Sequence, residues 1–162
     1  MFKNPDIPKE QKMELLEKTL GDDKSDIAKR VRLTCDAGLP EAENKAKVWK
    51  ELTDLSSTES IYDRSAKMSG FYSWRQLDLI RPYFDKFYEV LPLIYEKQAF
   101  KYLESFESHL LPRMEIKDEH IIKVLSLKLK TADVNSNFSR MLNEAIELLM
   151  RSKEVREFAK QN

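Results

Sequence analysis

Apolar residues recur at steps of three and four along most of the chain, and nowhere does apolar–polar alternation persist long enough to predict a strand. The clearest stripe lies between residues 70 and 110. Trp74, Leu77, Ile80, Phe84, Phe87, Tyr88, Leu91, Ile94, Tyr95, Tyr102, Leu103, Phe106 and Leu110 share one helical face. The stripe predicts a helical core, with Phe84 and Phe87 as buried anchors beside Trp49. Pro82 has no amide to donate and disfavours helix at Arg81, which predicts a break or a new first turn. Pro92 predicts the start of a turn or a kink in a continuing helix. Gly70 reads as a flexible corner ahead of the segment.

The same periodicity divides the rest. Residues 1–8 hold two prolines and read as a lead-in that packs loosely. A first helix is expected from Lys9 to Leu20, with Met13, Leu16 and Leu20 inward and Gly21 as its stop. A second begins after Asp22 or Ser25, turns Ile27, Ala28, Val31 and Cys35 to one side and ends at Gly38. Pro40 fits a first helical position, so a third runs from Pro40 to Leu52 with Ala42, Ala46, Trp49 and Leu52 inward. Ser56-Ser57-Thr58-Glu59 reads as a capping box opening a fourth helix that carries Ile61, Tyr62, Ser65 and Met68. Pro112 closes the central segment. Asp118 starts a helix with Ile121, Val124, Leu125 and Leu129 inward. The final helix, capped by Asn135 or Ser136, shows Phe138, Met141, Leu142, Ala145, Leu148, Leu149 and Val155.

Short connections make successive helices antiparallel neighbours. Helix pairs spaced by about 35–40 residues predict stacked helical hairpins, an all-α HEAT/armadillo-like α-solenoid over residues 1–162 as a single domain. In a solenoid cut from a longer stack the first helices lose their covering neighbours. Met13, Leu16, Ile27 and Val31 would then be exposed, which predicts weak self-association.

The 162 residues include 28 basic and 28 acidic side chains. This balance gives no electrostatic basis for binding nucleic acid or an anionic membrane. No window approaches the ~20 apolar residues of a membrane span. Cys35 is the single cysteine, so no internal disulfide can form. A cytoplasmic protein is the expectation.

Chemical motifs are sparse. A zinc peptidase helix places two histidines at i and i+4 with a glutamate beside the first. Here His109 and His120 fall on separate expected helices, and a partly exposed imidazole is the simplest role for each. Cys35 has no adjacent histidine, and neither a nucleophile elbow nor a phosphate loop occurs. The reading is therefore no catalytic residue, no metal site and no cofactor in this chain. The strongest polar candidates are Tyr72, Trp74, Arg75 and Gln76 at the Gly70 corner, because aromatic and arginine side chains together often make contact surfaces. A core corner with a capping glutamine accounts for them equally well. Arg140, Glu144 and Arg151 lie on the polar side of the last helix, where an i, i+4 ion pair of Arg140 with Glu144 is the simplest role.

Several of these segments, in this order, resemble the extreme C-terminal part of the aminopeptidase N family of zinc metallopeptidases, an endoplasmic-reticulum-aminopeptidase-like helical domain. Pro40, Lys45 and Trp49, followed by Glu51-Leu52-Thr53, match one family block. Gly70-Phe71, Gln76 and Pro82-Tyr83 match the next. Phe87-Tyr88 stands where the family usually has Tyr-Phe, in reversed order, and Leu111-Pro112 where many members have Phe-Pro. Arg140, Leu142, Glu144 and Arg151 are similar to an array in the family's last helix. The resemblance implies a noncatalytic stacked-helix domain that walls a catalytic chamber and helps accommodate the distal part of a peptide substrate. It implies zinc only for an upstream catalytic domain, which would be this chain's partner. Tyr72, Trp74, Arg75, Gln76, Arg140 and Arg151 become candidate peptide-chamber contacts. A stand-alone helical-repeat adaptor that binds a protein or peptide partner is the alternative. An unrecognised enzyme ranks last, because no nucleophile–base pair is visible.

Overall fold

The computed structural model describes residues 2–113, 116–131 and 136–161. They form α1 (Lys9–Leu20), α2 (Asp26–Ala37), α3 (Ala42–Thr53), α4 (Ile61–Phe71), α5 (Leu77–Ile80), α6 (Phe84–Lys97), α7 (Phe100–Leu110), α8 (Asp118–Thr131) and α9 (Ser136–Gln161). Two 3₁₀ turns, Trp74–Gln76 and Arg81–Tyr83, flank α5. The described residues contain no strand, so the chain is all-α.

Several boundaries follow directly from local chemistry. Gly21 ends α1 with a positive φ of 46°, its amide donating to the Glu17 carbonyl at 2.7 Å. The Ser25 hydroxyl accepts from the Ala28 amide and starts α2. Pro82 sits in the 3₁₀ turn between α5 and α6, where the expected break occurs. α6 continues through Pro92. The stripe also breaks where no proline or glycine marks it: Gln98 and Ala99 are extended and separate α6 from α7. The Gln98 side chain compensates by donating to the Leu55 carbonyl at 2.9 Å.

α4 is the hub. It packs on α2, α3 and α7, α6 packs on α7 and α8, and α8 packs on α9. One buried cluster runs through all of these from Ala37 to Leu149 and includes Phe84 and Phe87, with Trp49 half-buried against it. Gly70 is not a flexible corner. It lies inside α4, where a Cβ would come within 2.2 Å of the Thr34 backbone oxygen and 3.0 Å of the Ala37 side chain. Its hydrogen lets α2 and α4 touch backbone to backbone, and the Thr34 hydroxyl crosses the same gap to the Ala66 carbonyl at 3.0 Å.

Other expectations fail for physical reasons. The lead-in is not loose: the Lys3 amine donates to the carbonyls of Ser69 and Tyr72, each at 2.7 Å. The hydroxyls of Ser56 and Ser57 serve local turns with Asp54 and Glu59, and Ser60 caps α4 instead. α3 turns Lys45, Val48 and Leu52 inward and leaves Ala42 and Ala46 exposed. α4 buries Asp63 and Arg64 while Tyr62 faces out, because Asp63 pairs with Lys29 and Arg30 on α2. In α8 the inward set is His120, Val124 and Leu127, and Leu125 and Leu129 are exposed. α9, at 26 residues, runs well past the 14 of α8, so Val155 has nothing to pack on and is exposed. Leu16 is buried, whereas Met13 and Val31 are partly exposed and Ile27 is 72% exposed. The expected cap at Asn135 or Ser136 lies outside the described side chains.

Two substitutions test this packing. Phe87→Ala removes a fully buried ring and should cost about 3–5 kcal/mol in denaturant unfolding. Gly70→Ala adds one methyl yet should cost about 1–3 kcal/mol or more, since α2 and α4 must separate to admit it. A neutral Gly70→Ala melt would show that the contact is soft.

Candidate functional site

The corner after α4 is built on a buried lysine. Lys45 is fully buried, and its amine donates to the Ala37 carbonyl at 2.7 Å and the Phe71 carbonyl at 2.9 Å, the last residues of α2 and α4. The same nitrogen lies 5.2 Å from the Phe71 ring centre. Burial pushes the Lys45 amine down to about 7, and the charge of Lys3 adds to the effect. An amine poised near neutrality suits imine chemistry, but this one is sealed from solvent and committed to two carbonyls. Its role is to join three helices.

Trp49, one turn beyond Lys45, packs its ring 5.8 Å from Phe71 and 5.1 Å from Tyr83. Phe71 and Tyr83 meet edge-on at 5.2 Å. Gln76 is buried beside this cluster, and its amide donates to the carbonyls of Lys3 and Gly38, each at 2.8 Å. It ties the lead-in to the end of α2, with its amide nitrogen committed and its Oε1 buried without a partner among the described residues. Tyr72 is half-buried and stacks on Phe84 with centres 6.0 Å apart. Trp74 is 66% exposed, so it leaves the core stripe, and the Arg75 guanidinium sits 5.0 Å from its ring. Arg75 also borders a small recess of about 250 Å³ between Pro5, Pro40 and Asp78.

The arginines of α9 are elsewhere. Arg140 pairs with Glu144 at 3.7 Å and Arg151 with Glu147 at 2.7 Å, all four side chains exposed. α9 packs chiefly on α8, whereas α5, next to the corner, packs on α3. The six candidates thus divide into a buried brace (Gln76), a surface plate (Trp74 with Arg75), a half-buried ring stacked on Phe84 (Tyr72) and two solvent ion pairs.

A pairing absent from the sequence reading lies between α6 and α8. His120 is fully buried rather than partly exposed. Its Nε2 is 2.7 Å from Asp85 Oδ1, and the Lys117 amide approaches Nδ1 at 3.4 Å, so Nε2 carries the proton given to Asp85. The His120 hydrogen bond, with help from Lys117, holds the Asp85 carboxyl below its ordinary range. The ring stacks on Tyr88 with centres 4.6 Å apart. An Asp–His pair is half of a nucleophile-activating device, yet no described hydroxyl or thiol is bonded to this imidazole. It works as a polar rivet between helices. The only signal was its place four and seven residues before Val124 and Leu127 on one helical face.

The two histidines have separate partners. His109 is exposed on α7 and bonded through Nδ1 to the Ser105 carbonyl at 2.8 Å, while His120 is committed to Asp85 from α8. Among the described residues no group of three His, Cys, Asp or Glu side chains converges as metal ligands would, and no helix is long and apolar enough to cross a membrane. No family model matches the chain, and no curated protein matches it at a significant level.

The buried amine gives a pH test. A folded pKa depressed toward 7 means that the unfolded chain holds this proton more tightly. Lys45 therefore weakens the fold most below that value, and the penalty is relieved as pH rises from about 7 toward 10. Denaturant unfolding between pH 7 and 9 should show a stability gain in the wild type that is missing in Lys45→Met. Parallel pH profiles for the two proteins would rule this out.

Proposed function

We propose that the chain is the noncatalytic C-terminal helical domain of an aminopeptidase N-like zinc peptidase. In this reading its helical hairpins form a HEAT-like solenoid that walls the peptide chamber. The observation that supports it is that the first part of the resemblance, six residues from the blocks between Pro40 and Tyr83, converges. Lys45, Trp49, Gly70, Phe71, Gln76 and Tyr83 come from separate stretches of sequence, yet all meet at the joint between α2, α3 and α4.

The partner in this reading is an upstream catalytic domain in the same cytoplasmic polypeptide, which would hold the zinc, and the ligand is a peptide substrate. The chain itself supplies no chemistry. Its best chamber contact is the exposed Trp74–Arg75 plate, with Tyr72 and Gln76 as its support. Arg140 and Arg151 are available at little cost, since surface ion pairs contribute only about 0–1 kcal/mol. They can exchange their glutamates for a peptide carboxylate.

Mapping the transcript upstream of the Met1 codon tests this directly. An open frame that continues upstream into a helix with two histidines at i and i+4 and an adjacent glutamate is expected. An in-frame stop just upstream would overturn the reading.

The second reading, a stand-alone helical adaptor, is favoured by one feature. Ile27, Val31 and Cys35 line an open recess of about 320 Å³ on the outer face of α2. Under either reading this uncovered surface predicts weak self-association. Light scattering should show a mass that rises with concentration and falls back in Ile27→Lys. A constant monomer mass would count against it.

A further inference from the structure

A groove of about 500 Å³ runs between α6 and α8, well away from the α2–α4 joint. That is within the roughly 300–1,000 Å³ typical of small-molecule sites. Pro92, Tyr95, Ile122 and Leu127 give it apolar walls. Its shape is fixed in advance, because the ring of Tyr95 stacks on Phe138 with centres 3.8 Å apart and that of Tyr88 stacks on His120.

Two kinds of polar group in this groove have no use within the described fold. Tyr88 lines it and is only 4% exposed, yet its hydroxyl has no hydrogen-bond partner among the described residues. A buried hydroxyl without a partner is unfavourable, and a ligand acceptor that reaches it relieves that cost. Lys123 and Lys130 also line the groove, two turns apart on α8 and thus about 10 Å along its axis. Neither makes an ion pair with a described residue, in contrast to Lys117 and Lys153. Among the described residues Glu96 is the one carboxylate of the lining, so the described lining carries a net positive charge.

We propose that this groove binds a single-chain amphiphile with a carboxylate head, of the fatty-acid type. The head takes the Tyr88 hydroxyl proton as a hydrogen bond and pairs with a lysine, a charge-assisted contact. The tail covers Pro92, Tyr95 and Leu127. A small inorganic anion would leave those walls bare, and a neutral hydrocarbon would leave both lysines and the hydroxyl without a partner. The proposal does not depend on an upstream peptidase domain.

The test uses laurate below its micellar concentration, titrated calorimetrically into the whole chain. Acetate, inorganic phosphate and dodecanol serve as comparison ligands. One laurate per chain is expected, with acetate and phosphate silent and dodecanol at least tenfold weaker. Tyr88→Phe removes only the unpartnered oxygen and should weaken laurate about fivefold. Lys123→Gln/Lys130→Gln alters only surface positions and should weaken it tenfold or more. Circular dichroism melts confirm that both variants fold. Absence of laurate binding to the wild type would overturn the proposal. So would equal affinity for dodecanol, saturation by phosphate alone, or folded variants that bind as the wild type does.

Discussion

The fold depends on buried basic side chains, Lys45 and Arg64, whose N–H groups are bonded to the carbonyls at helix C-termini. The last turn of any helix leaves carbonyls without partners and carries the negative end of the helix dipole. A cation taken out of water is costly unless it is fully bonded. Here each problem answers the other. Lys45 closes the ends of α2 and α4 together. Arg64 reaches the carbonyls of Leu52 and Asp54 at the end of α3, at 2.8 and 3.1 Å, with its guanidinium 3.8 Å from the centre of the Tyr102 ring. The ends of α2 and α4 thus meet at the start of α3, and the end of α3 meets the start of α4. The contact at Gly70 sets how closely α2 and α4 approach once they are there.

The second half is held differently. From Phe84 onward the apolar stripe dominates, with Phe87 stacked on Phe106 and Tyr102 and Leu103 buried from α7. A polar joint of buried His120 with half-exposed Asp85 fixes α8 to α6. The same joint sets the position of Tyr88 and so the floor of the groove. The candidate surfaces follow this division: the Trp74–Arg75 plate borders the cation-held half, and the apolar groove lies in the stripe-held half.

Much of this was legible in the sequence wherever local chemistry decides. Gly21, Ser25 and Pro82 mark real boundaries because a positive φ, a hydroxyl cap and a missing amide act within one turn of chain. What was not legible is tertiary. The inward faces of α3 and α4 carry Lys45, Asp63 and Arg64, which any hydropathy argument turns to solvent, so both faces were rotated. Gly70 reads as a hinge because a glycine's freedom is a property of one residue, whereas the close approach of another helix is a property of two. The break at Gln98 has no local marker and depends on the Gln98 side chain finding Leu55. Among the candidate residues, the sequence grouped Gln76 with Trp74 and Arg75 by adjacency. Backbone geometry sends the first into the core and the other two outward. His120 was missed because a single histidine has no sequence context that reveals Asp85 beneath it.

The most direct measurement of the central claim is the unfolding free energy of Arg64→Met. Methionine preserves much of the buried volume and its contact with Tyr102 but can donate to no carbonyl. If cation–carbonyl bonding organises the fold, the variant loses about 3–5 kcal/mol or fails to fold, because the end of α3 is left buried and unpaired. If it unfolds at the wild-type denaturant midpoint, packing alone suffices and the account is wrong.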